Sequence, residues 1–292
     1  MSGYGCEITL SIRCGMATAG VRVFAASAIV LGLVGLASGD FAAVWQPVPA
    51  EFPDRVVLAY LTALVFVASG IGLLLRRFAR LSAVILALLY FVFSMLWLPR
   101  VAAHARAIGV WNGLFEQLAL VAAALMYVAA LGLPRERPAW LQRAARLLFG
   151  VCLLSFGATH FDALKETAAL VPQWLPPSPR FWAMATGVFH IAAGIAILGN
   201  VRAVLAARLF TAMLITFGLL VWAPRLVANL HVHRVWAGNA VNLTLIGAAW
   251  LMADAIASQT RVDDSLPAAS GLAARRQRAL ASAVDRQPPT IV

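Results

Sequence analysis

The chain has 292 residues; 62% of them are apolar, only 12% are charged, and the formal net charge is +11. The basic residues stand between long apolar runs and form no patch on a soluble face, which excludes a nucleic-acid-binding surface. Composition therefore directs attention to the apolar runs and to the few polar residues inside them.

Eight apolar runs follow one another along the chain, each about as long as a bilayer's hydrocarbon core is thick, at roughly 20 residues. In lipid, only helices and closed barrels satisfy all backbone polar groups, and these runs lack the alternation of barrel strands. The sequence therefore predicts an all-α polytopic membrane protein with eight transmembrane helices, at 22–39, 56–75, 81–98, 113–133, 147–161, 181–198, 209–223 and 237–253.

The predicted helices form two tandem repeats of four. Segments around Trp97 and Trp222 match without a gap, sharing Trp-x-Pro-Arg and, further on, Val-Trp-x-Gly. Upstream, 37–41 (ASGDF) matches 157–161 (GATHF), which places Asp40 at the position of His160. Four helices per repeat give both copies the same orientation in the membrane, so the repeats are predicted to be parallel.

The placement of charge predicts the orientation. Sixteen of the 23 Lys and Arg residues fall on one side of the membrane, and by the positive-inside rule both termini are cytoplasmic. The predicted organisation is an N-terminal cytoplasmic segment (1–20), a first repeat (21–133), a cytoplasmic linker (134–143), a second repeat (144–256) and a disordered cytoplasmic tail (257–292).

Cysteine usage suggests no redox or metal chemistry, because no suitable spacing occurs. Cys6 and Cys14 lie on the predicted cytoplasmic side, where a structural disulfide is not expected. The residues before Met16 look unlike the rest, so Met16 is an alternative start. Cys152 lies within a span and is predicted to be a small buried residue.

The second repeat carries G-x-x-H-F at 157–161, VPQWLP at 171–176, TGVFHIAAGIAIL at 186–198 and AVLAAR at 203–208. On these residues it resembles DoxX-like membrane proteins, and the first repeat looks like a degenerate copy. The resemblance implies a four-helix module of a bacterial inner membrane, in some relatives a subunit of quinone-linked sulfur oxidoreductases or redox-associated assemblies. A carboxylate is common in that family where His190 stands, so the role of that acid does not carry over.

Ionisable groups inside a span are costly and are therefore candidate functional residues. His160 ends the fifth predicted helix; Thr186 and His190 share a face of the sixth. The histidines are interpreted as lining a quinone-like or lipid-like site, where an imidazole N–H donates or carries a proton, as haem ligands, or as helix-positioning residues. Haem is less favoured, because the first repeat has Asp40 and an apolar residue at the two positions.

Arg225, Asn239 and Asn242 complete the candidate ligand site. Arg225 recurs as Arg100 after the shared Trp-x-Pro, so it either reaches the outer interface beside the tryptophan or faces an anion. Asn239 and Asn242 are spaced i and i+3 on the eighth helix. They either line the site or join helices through hydrogen bonds.

Two further polar features remain. Glu116, one turn into the fourth helix, is interpreted as a surface-seeking carboxylate or one paired with Arg100, with a proton relay as the alternative. His231 and His233 form a His-x-His sequence, which binds a metal ion only with further ligands, and Arg234 beside it repels a cation. No metal site is predicted.

The resulting hypothesis is a redox-associated inner-membrane subunit that binds a quinone-like or lipid-like ligand in the second repeat, with the bilayer and a redox subunit as partners. One alternative is a small-solute transporter with a site between the repeats, although no glycine or proline break lies deep within a span. Another is a scaffold without chemistry of its own. The sequence has no nucleophile with a base and no phosphate loop, so no catalytic residue and no oligomeric state are assigned.

Overall fold

A computed structural model of the chain describes residues 18–131 and 138–284, without the side chains of residues 43 and 262–284. Within these residues all regular structure is helical. A 3-10 turn spans Ala43–Trp45 and a π-helical turn spans Gly218–Trp222. The α-helices are α1 (Ala19–Ser38), α2 (Arg55–Leu74), α3 (Ala79–Met95), α4 (Leu98–Ala103), α5 (Ile108–Ala130), α6 (Ala139–Asp162), α7 (Leu164–Ala168), α8 (Pro179–Leu198), α9 (Ala203–Phe217), α10 (Ala223–Ala228) and α11 (His233–Val284).

Eight helical stretches of the described chain are long and apolar enough to cross a membrane, which confirms the predicted all-α polytopic architecture. Six of them are α1, α2, α5, α6, α8 and the His233–Arg261 part of α11. The third span, Ala79–Ala103, combines α3 and α4, and the seventh, Ala203–Ala228, combines α9, the π turn and α10. In both composite spans the regular α-helical hydrogen bonding is interrupted at the start of a Trp-x-Pro sequence.

Helices that follow one another along the chain pack against each other. The contacts run from α1 to α2, α2 to α3, α3 to α5, α5 to α6, α6 to α8 and α8 to α9. The extensive contact between α5 and α6 joins the first half of the chain (residues 19–130) to the second half (139–255). α1 also packs on α11, where Gly20 lies against Leu251 and Gly247 lies against Phe24.

The fourth and eighth spans are the most buried. In their most apolar windows 61% and 72% of the residues are buried, against 22–44% in the other six spans. Alanines such as Ala122, Ala123 and Ala249 have no exposed surface, because small side chains let helices approach closely. The outer helices instead expose large apolar side chains such as Leu61 and Leu88, which suits contact with lipid.

Charged side chains satisfy backbone groups that helix ends leave unpaired. Asp254 Oδ2 accepts a hydrogen bond of 3.1 Å from the N–H of Gly20 at the start of α1. Asp162 Oδ2 accepts one of 2.9 Å from the N–H of Gly109 at the start of α5. Arg146 donates to the last two carbonyls of α8. These ionisable residues are therefore explained by the fold, each with the sign of charge that its helix end favours.

The same packing recurs in both halves at a separation of 125 residues. A Cβ on Gly113 would overlap the ring of Trp97, and a Cβ on Gly238 would overlap the ring of Trp222. The tryptophan two residues before each of these glycines donates its indole N–H to the carbonyl six residues earlier, at 3.0 and 2.8 Å. These contacts are what two copies of one unit would make.

The C-terminal region differs from its prediction. A second compact unit begins at Ile256, and α11 continues to Val284, whereas the sequence predicts a disordered tail from residue 257. The physical reason is that alanine, arginine and leucine, which have high helix propensity, dominate residues 271–284. The predicted linker is helical from Ala139, and Cys152 is buried as predicted. Predictions on residues 1–17, 132–137 and 285–292, including Cys6, Cys14 and Met16, lie outside the described residues.

Candidate functional site

Two histidines from neighbouring spans meet inside the second half. His160 lies near the end of α6 and His190 in the middle of α8, and their ring centroids are 4.8 Å apart. Thr186, one turn before His190, has its hydroxyl 3.1 Å from Nδ1 of His160. The structure thus brings together three of the predicted ligand residues, which we call the histidine site.

Backbone carbonyls orient both imidazole rings. Nδ1 of His160 lies 3.0 Å from the carbonyl oxygen of Ala183, and Nδ1 of His190 lies 2.7 Å from that of Thr186. Because a carbonyl oxygen only accepts, each Nδ1 carries the proton when its ring is neutral. Each Nε2 then has a lone pair, and within the described chain neither has a hydrogen-bond partner. The neutral site therefore offers acceptors, whereas the sequence suggested an N–H donor or a proton carrier.

Aromatic side chains enclose His190. The rings of Phe156, Phe210 and Phe217 lie 6.0, 5.3 and 6.3 Å from its centroid. His190 itself is only 3% exposed, whereas His160 is half-buried. In such apolar surroundings a hydrogen bond to Nε2 is stronger than it would be in water.

The first half fills the corresponding place with a phenylalanine. Phe66 in α2 stacks on Phe93 in α3, and His190 in α8 lies against Phe217 in α9. Both ring pairs have centroids 6.3 Å apart, and each member is shifted by 124 residues. This packing therefore accepts an apolar ring. Helix packing alone does not explain why a histidine stands at position 190.

The structure corrects the predicted equivalence of Asp40 and His160. His160 packs against Gly187, and it is Gly35 that makes the matching contact in the first half. Asp40 follows the end of α1, where it forms an ion pair with Arg55. Segments 37–41 and 157–161 resemble each other in sequence. The close approach of neighbouring helices, however, matches His160 with Gly35, which lies five residues before Asp40. Neither histidine thus has a polar counterpart in the first half.

The π turn Gly218–Trp222 adds one residue to the seventh span beside the histidine site. Phe93 and Trp97 are four residues apart in the first half, whereas Phe217 and Trp222 are five apart, although both pairs make matching contacts. A π turn accommodates such an insertion, and these turns often occur at functional sites. The π turn was not predicted from the sequence, although a one-residue gap upstream of the ungapped match was the available signal.

Asn239 and Asn242 direct their hydrogen bonds to the seventh span and not to the histidine site. The amide of Asn239 donates to the carbonyl of Trp222 at 3.1 Å, where the π turn ends. That of Asn242 donates to the carbonyl of Leu214 at 3.4 Å, one turn before it begins. Both bonds connect α11 to the backbone beside the π turn, as the helix-joining interpretation expects.

Arg225 also lies apart from the histidine site. It lines a cleft of about 340 Å³ together with residues 169–174, 219–221 and 224, which we call the arginine cleft. Its counterpart Arg100 is exposed, with its guanidinium 5.1 Å from the ring of Trp97. The predicted ligand set is therefore divided into a histidine site, a pair of helix-joining asparagines and a separate arginine.

Glu116 has hydrogen-bond donors instead of a cationic partner. Nδ2 of Asn112 donates to its carboxylate at 3.0 Å, and the side chain of Trp45 is a second donor. Because Arg100 stacks on a tryptophan, the predicted pairing of Glu116 with Arg100 is not formed. Trp45, which the sequence analysis did not single out, also packs 5.9 Å from the ring of Trp222 and so connects the two halves. The proton relay through Glu116 stays a prediction.

The part of the chain that the structure describes contains no group of three or more His, Cys, Asp and Glu side chains placed to hold a metal ion. His231 is exposed and His233 is half-buried at the start of α11. The histidine site does not fit haem either. Two imidazoles on one iron have their ligating nitrogens about 4 Å apart with the metal between them, whereas these two rings pack directly against each other.

Comparison with known proteins gives a match for the second half. The sequence profile of one family, described as Domain of unknown function (DUF8561), matches residues 148–253. No curated protein and no solved structure matches the chain. The matched residues contain the histidine site, the π turn and the arginine cleft, so these features lie in the part of the chain that the profile matches.

Proposed function

We propose that the second half binds a lipid-like molecule with a hydroxyl-bearing head group at the histidine site, and that a reduced membrane quinone suits this site best. The observation that carries the proposal is a pair of imidazoles inside the membrane whose Nδ1 atoms are held by carbonyls and whose Nε2 atoms are left to accept. A quinol hydroxyl donates to such an acceptor and, on oxidation, can transfer its proton to it.

An apolar groove offers a place for the tail of such a molecule. It lies between α8 and α9, has a volume of about 330 Å³, and shares Phe210 with the surroundings of His190. Its lining is almost entirely apolar, with Arg202 at one end: Phe189, Ala192, Ala193, Ala196, Val201, Leu205, Ala206, Leu209, Phe210 and Met213. A head group at the histidines and a chain in this groove would satisfy both ends of an amphipathic ligand.

The wider setting of the proposal combines sequence and contacts. We propose a DoxX-like protein of a bacterial inner membrane, with both termini cytoplasmic and a redox partner subunit that exchanges electrons with the bound quinol. The recurrence of the Trp97–Gly113 packing as Trp222–Gly238 supports a tandem repeat of two parallel units. Within this proposal the first unit has lost, or never had, the polar residues of the ligand site.

A transport function would place interrupted helices near the middle of the membrane in both halves. The third and seventh spans are both interrupted, which the sequence analysis did not expect. Each interruption, however, lies close to the end of its span, where residues 98–103 and 223–228 form only short helices. The geometry therefore favours ligand binding in one half over a transport path between the halves.

Analysis of co-purified lipids tests the proposal. The full chain would be purified in mild detergent, and the quinone extracted per mole of protein would be measured by mass spectrometry for wild type and His190→Phe. Phenylalanine is chosen because Phe66 occupies the matching place in the first half, so the fold accepts this ring. We expect wild type to retain quinone and the variant to lose at least about nine-tenths of it, since a ligand hydrogen bond is removed.

Phe66→Leu is the matched control, because it alters the corresponding packing in the first half and leaves the histidine site unchanged. It should lower stability and keep the bound quinone. If wild type retains only bulk phospholipid, or if His190→Phe retains as much quinone as wild type, the proposal is wrong and the scaffold interpretation takes its place.

A further inference from the structure

The arginine cleft has a single charged residue in a largely apolar lining. One wall is the connector that follows α7, from Ala169 to Trp174, and the other is the outward face of the π turn, residues 219–221. Arg225 on α10 closes the cleft and is half-buried. At about 340 Å³ its volume lies at the lower end of the range of small-ligand pockets.

The guanidinium of Arg225 has no partner among the described residues: it takes part in no ion pair, hydrogen bond or ring contact there. Its counterpart Arg100 lies over the ring of Trp97. Trp222 is the matching ring for Arg225, but it packs against Trp45 instead. Arg225 is half-buried beside apolar side chains and has no counter-charge among the described residues, so an anion from outside the chain is a natural partner.

The walls of the cleft indicate what kind of anion this is. Trp174 is 71% exposed and Leu219 is 65% exposed, and both flank the charged group. Tryptophan is enriched at the level of lipid head groups, where one end of the ring is wet and the other apolar. The planar fork of an arginine matches the oxygens of a phosphate group with two parallel hydrogen bonds. The cleft thus combines a phosphate-binding group with apolar surface for an attached chain.

We infer that the arginine cleft binds the phosphate group of an amphipathic molecule such as an anionic phospholipid, with Arg225 as the phosphate ligand and the π turn as one wall. This site is separate from the histidine site, since the two share no residue. The inference does not rest on the proposed quinol binding. It gives the π turn a role: the extra residue between Phe217 and Trp222 lies in the stretch that forms one wall of the cleft.

Titration of the delipidated full chain with three probes tests the inference. The probes are a short-chain phosphatidylglycerol, the diacylglycerol with the same chains, and inorganic phosphate, and binding would be followed by native mass spectrometry. Phosphatidylglycerol should bind wild type, and Arg225→Gln should weaken it at least about tenfold, as expected for losing a charge-assisted contact. Arg100→Gln, which changes the counterpart arginine, should leave the affinity unchanged.

The three probes distinguish the sources of the phosphate. Diacylglycerol should bind more weakly than phosphatidylglycerol and be insensitive to Arg225→Gln. If inorganic phosphate binds as tightly as the lipid and depends on Arg225, the phosphate site is supported with a free anion as its occupant. Equal lipid binding by wild type and Arg225→Gln, or an equal loss in Arg100→Gln, would overturn the inference.

A second variant keeps the test informative if Arg225→Gln does not fold. Leu219→Trp places a larger ring in the wall of the cleft at a position that is already exposed, and it leaves the arginine in place. It should reduce phosphatidylglycerol binding by blocking the cleft while the unfolding temperature stays near that of wild type. Unchanged lipid binding in this folded variant would contradict the assignment.

Discussion

The imidazole of His190 lies ring against ring with that of His160, with 4.8 Å between their centroids. In the first half the matching positions hold Phe66 and Gly35, neither of which is polar. The helices thus meet in the same way with and without histidines. Helix packing alone therefore does not require the two histidines, whereas ligand binding would.

Variants of His190 test that separation through stability. His190→Phe should unfold at or above the wild-type temperature, because it removes a buried polar group and supplies the ring that the first half uses. His190→Ala should lose about 3 kcal/mol, because it leaves a cavity among aromatic rings. Thermal unfolding in detergent would measure both. If the phenylalanine variant is as unstable as the alanine variant, the histidine serves to position helices and not to bind a ligand.

Deleting a residue from the π turn should be tolerated. Without Leu219 the spacing from Phe217 to Trp222 becomes that of Phe93 to Trp97, so the seventh span can adopt the hydrogen bonding of the third span, which has no π turn there. We expect a monodisperse, helical protein by size-exclusion chromatography and circular dichroism.

The control for this deletion removes Leu209, which is also exposed and lies within the regular helix α9. That deletion rotates one part of the span by about 100° relative to the other and cannot be absorbed by a wider turn. It should aggregate or fail to insert. A Leu219 deletion that behaves no better would show that the π turn is not an insertion.

Two glycines should be equally intolerant of a methyl group. Gly113→Ala and Gly238→Ala each place a Cβ inside the ring of a tryptophan, so each should cost about 1–3 kcal/mol through overpacking. Gly109→Ala is the control, because its Cβ would meet only an oxygen of Asp162 at 3.6 Å. Unfolding temperatures of the three variants would be compared. A mild effect at one glycine and a severe one at the other would contradict the matching geometry of the two halves.

Asn239→Ala should cost about 1 kcal/mol without changing what the protein binds. The amide donates to the carbonyl of Trp222 across two helices, and hydrogen bonds of this kind inside membranes contribute about that much. The control is Asn229→Ala, whose amide bonds only within its own exposed turn, to the carbonyl of Arg225. Chemical or thermal unfolding would measure the difference in unfolding free energy between each variant and wild type. A loss of co-purified lipid in Asn239→Ala would instead show that this residue is part of the ligand site.

Labelling of single cysteines tests the orientation. In a background without Cys6, Cys14 and Cys152, cysteines at Glu51 and Gln173 should react with an impermeant reagent from the outer side. Cysteines at Arg77 and Asn200 should react only from the cytoplasmic side. All four positions are exposed in loops between spans. The parallel arrangement of the two halves is ruled out if the first two sites react from opposite sides.

Much of the fold was readable because a bilayer demands long apolar helices, and a chain either has such runs or lacks them. The sequence alignment of Trp97 with Trp222 also corresponds to a structural similarity, since each ring covers a glycine in the same way. The prediction was wrong where two segments matched in sequence but do not take equivalent positions in the helix packing, as for Asp40 and His160. In the tail beyond residue 257, where the sequence suggested disorder, helix α11 continues to Val284.

The candidate ligand residues show the limit of sequence reasoning most clearly. His160, Thr186 and His190 come together because α6 and α8 are neighbours and the residues face each other, which the spacing on α8 indicated in part. Arg225, Asn239 and Asn242 were grouped with them only because they are polar and lie in the same half. In the structure Arg225 lines a separate cleft, and the amides of Asn239 and Asn242 donate to backbone carbonyls of the seventh span.

The amino-acid sequence alone determined that this protein has eight helices long and apolar enough to cross a membrane, because hydrophobicity along a helix is a local property that each segment carries by itself. Only the tertiary structure decided which polar groups meet, which nitrogen of each histidine is left to accept, and that the Arg225 side chain has no partner among the described residues. Those outcomes depend on the relative rotation and depth of neighbouring helices, and a single added residue in one span is enough to change them.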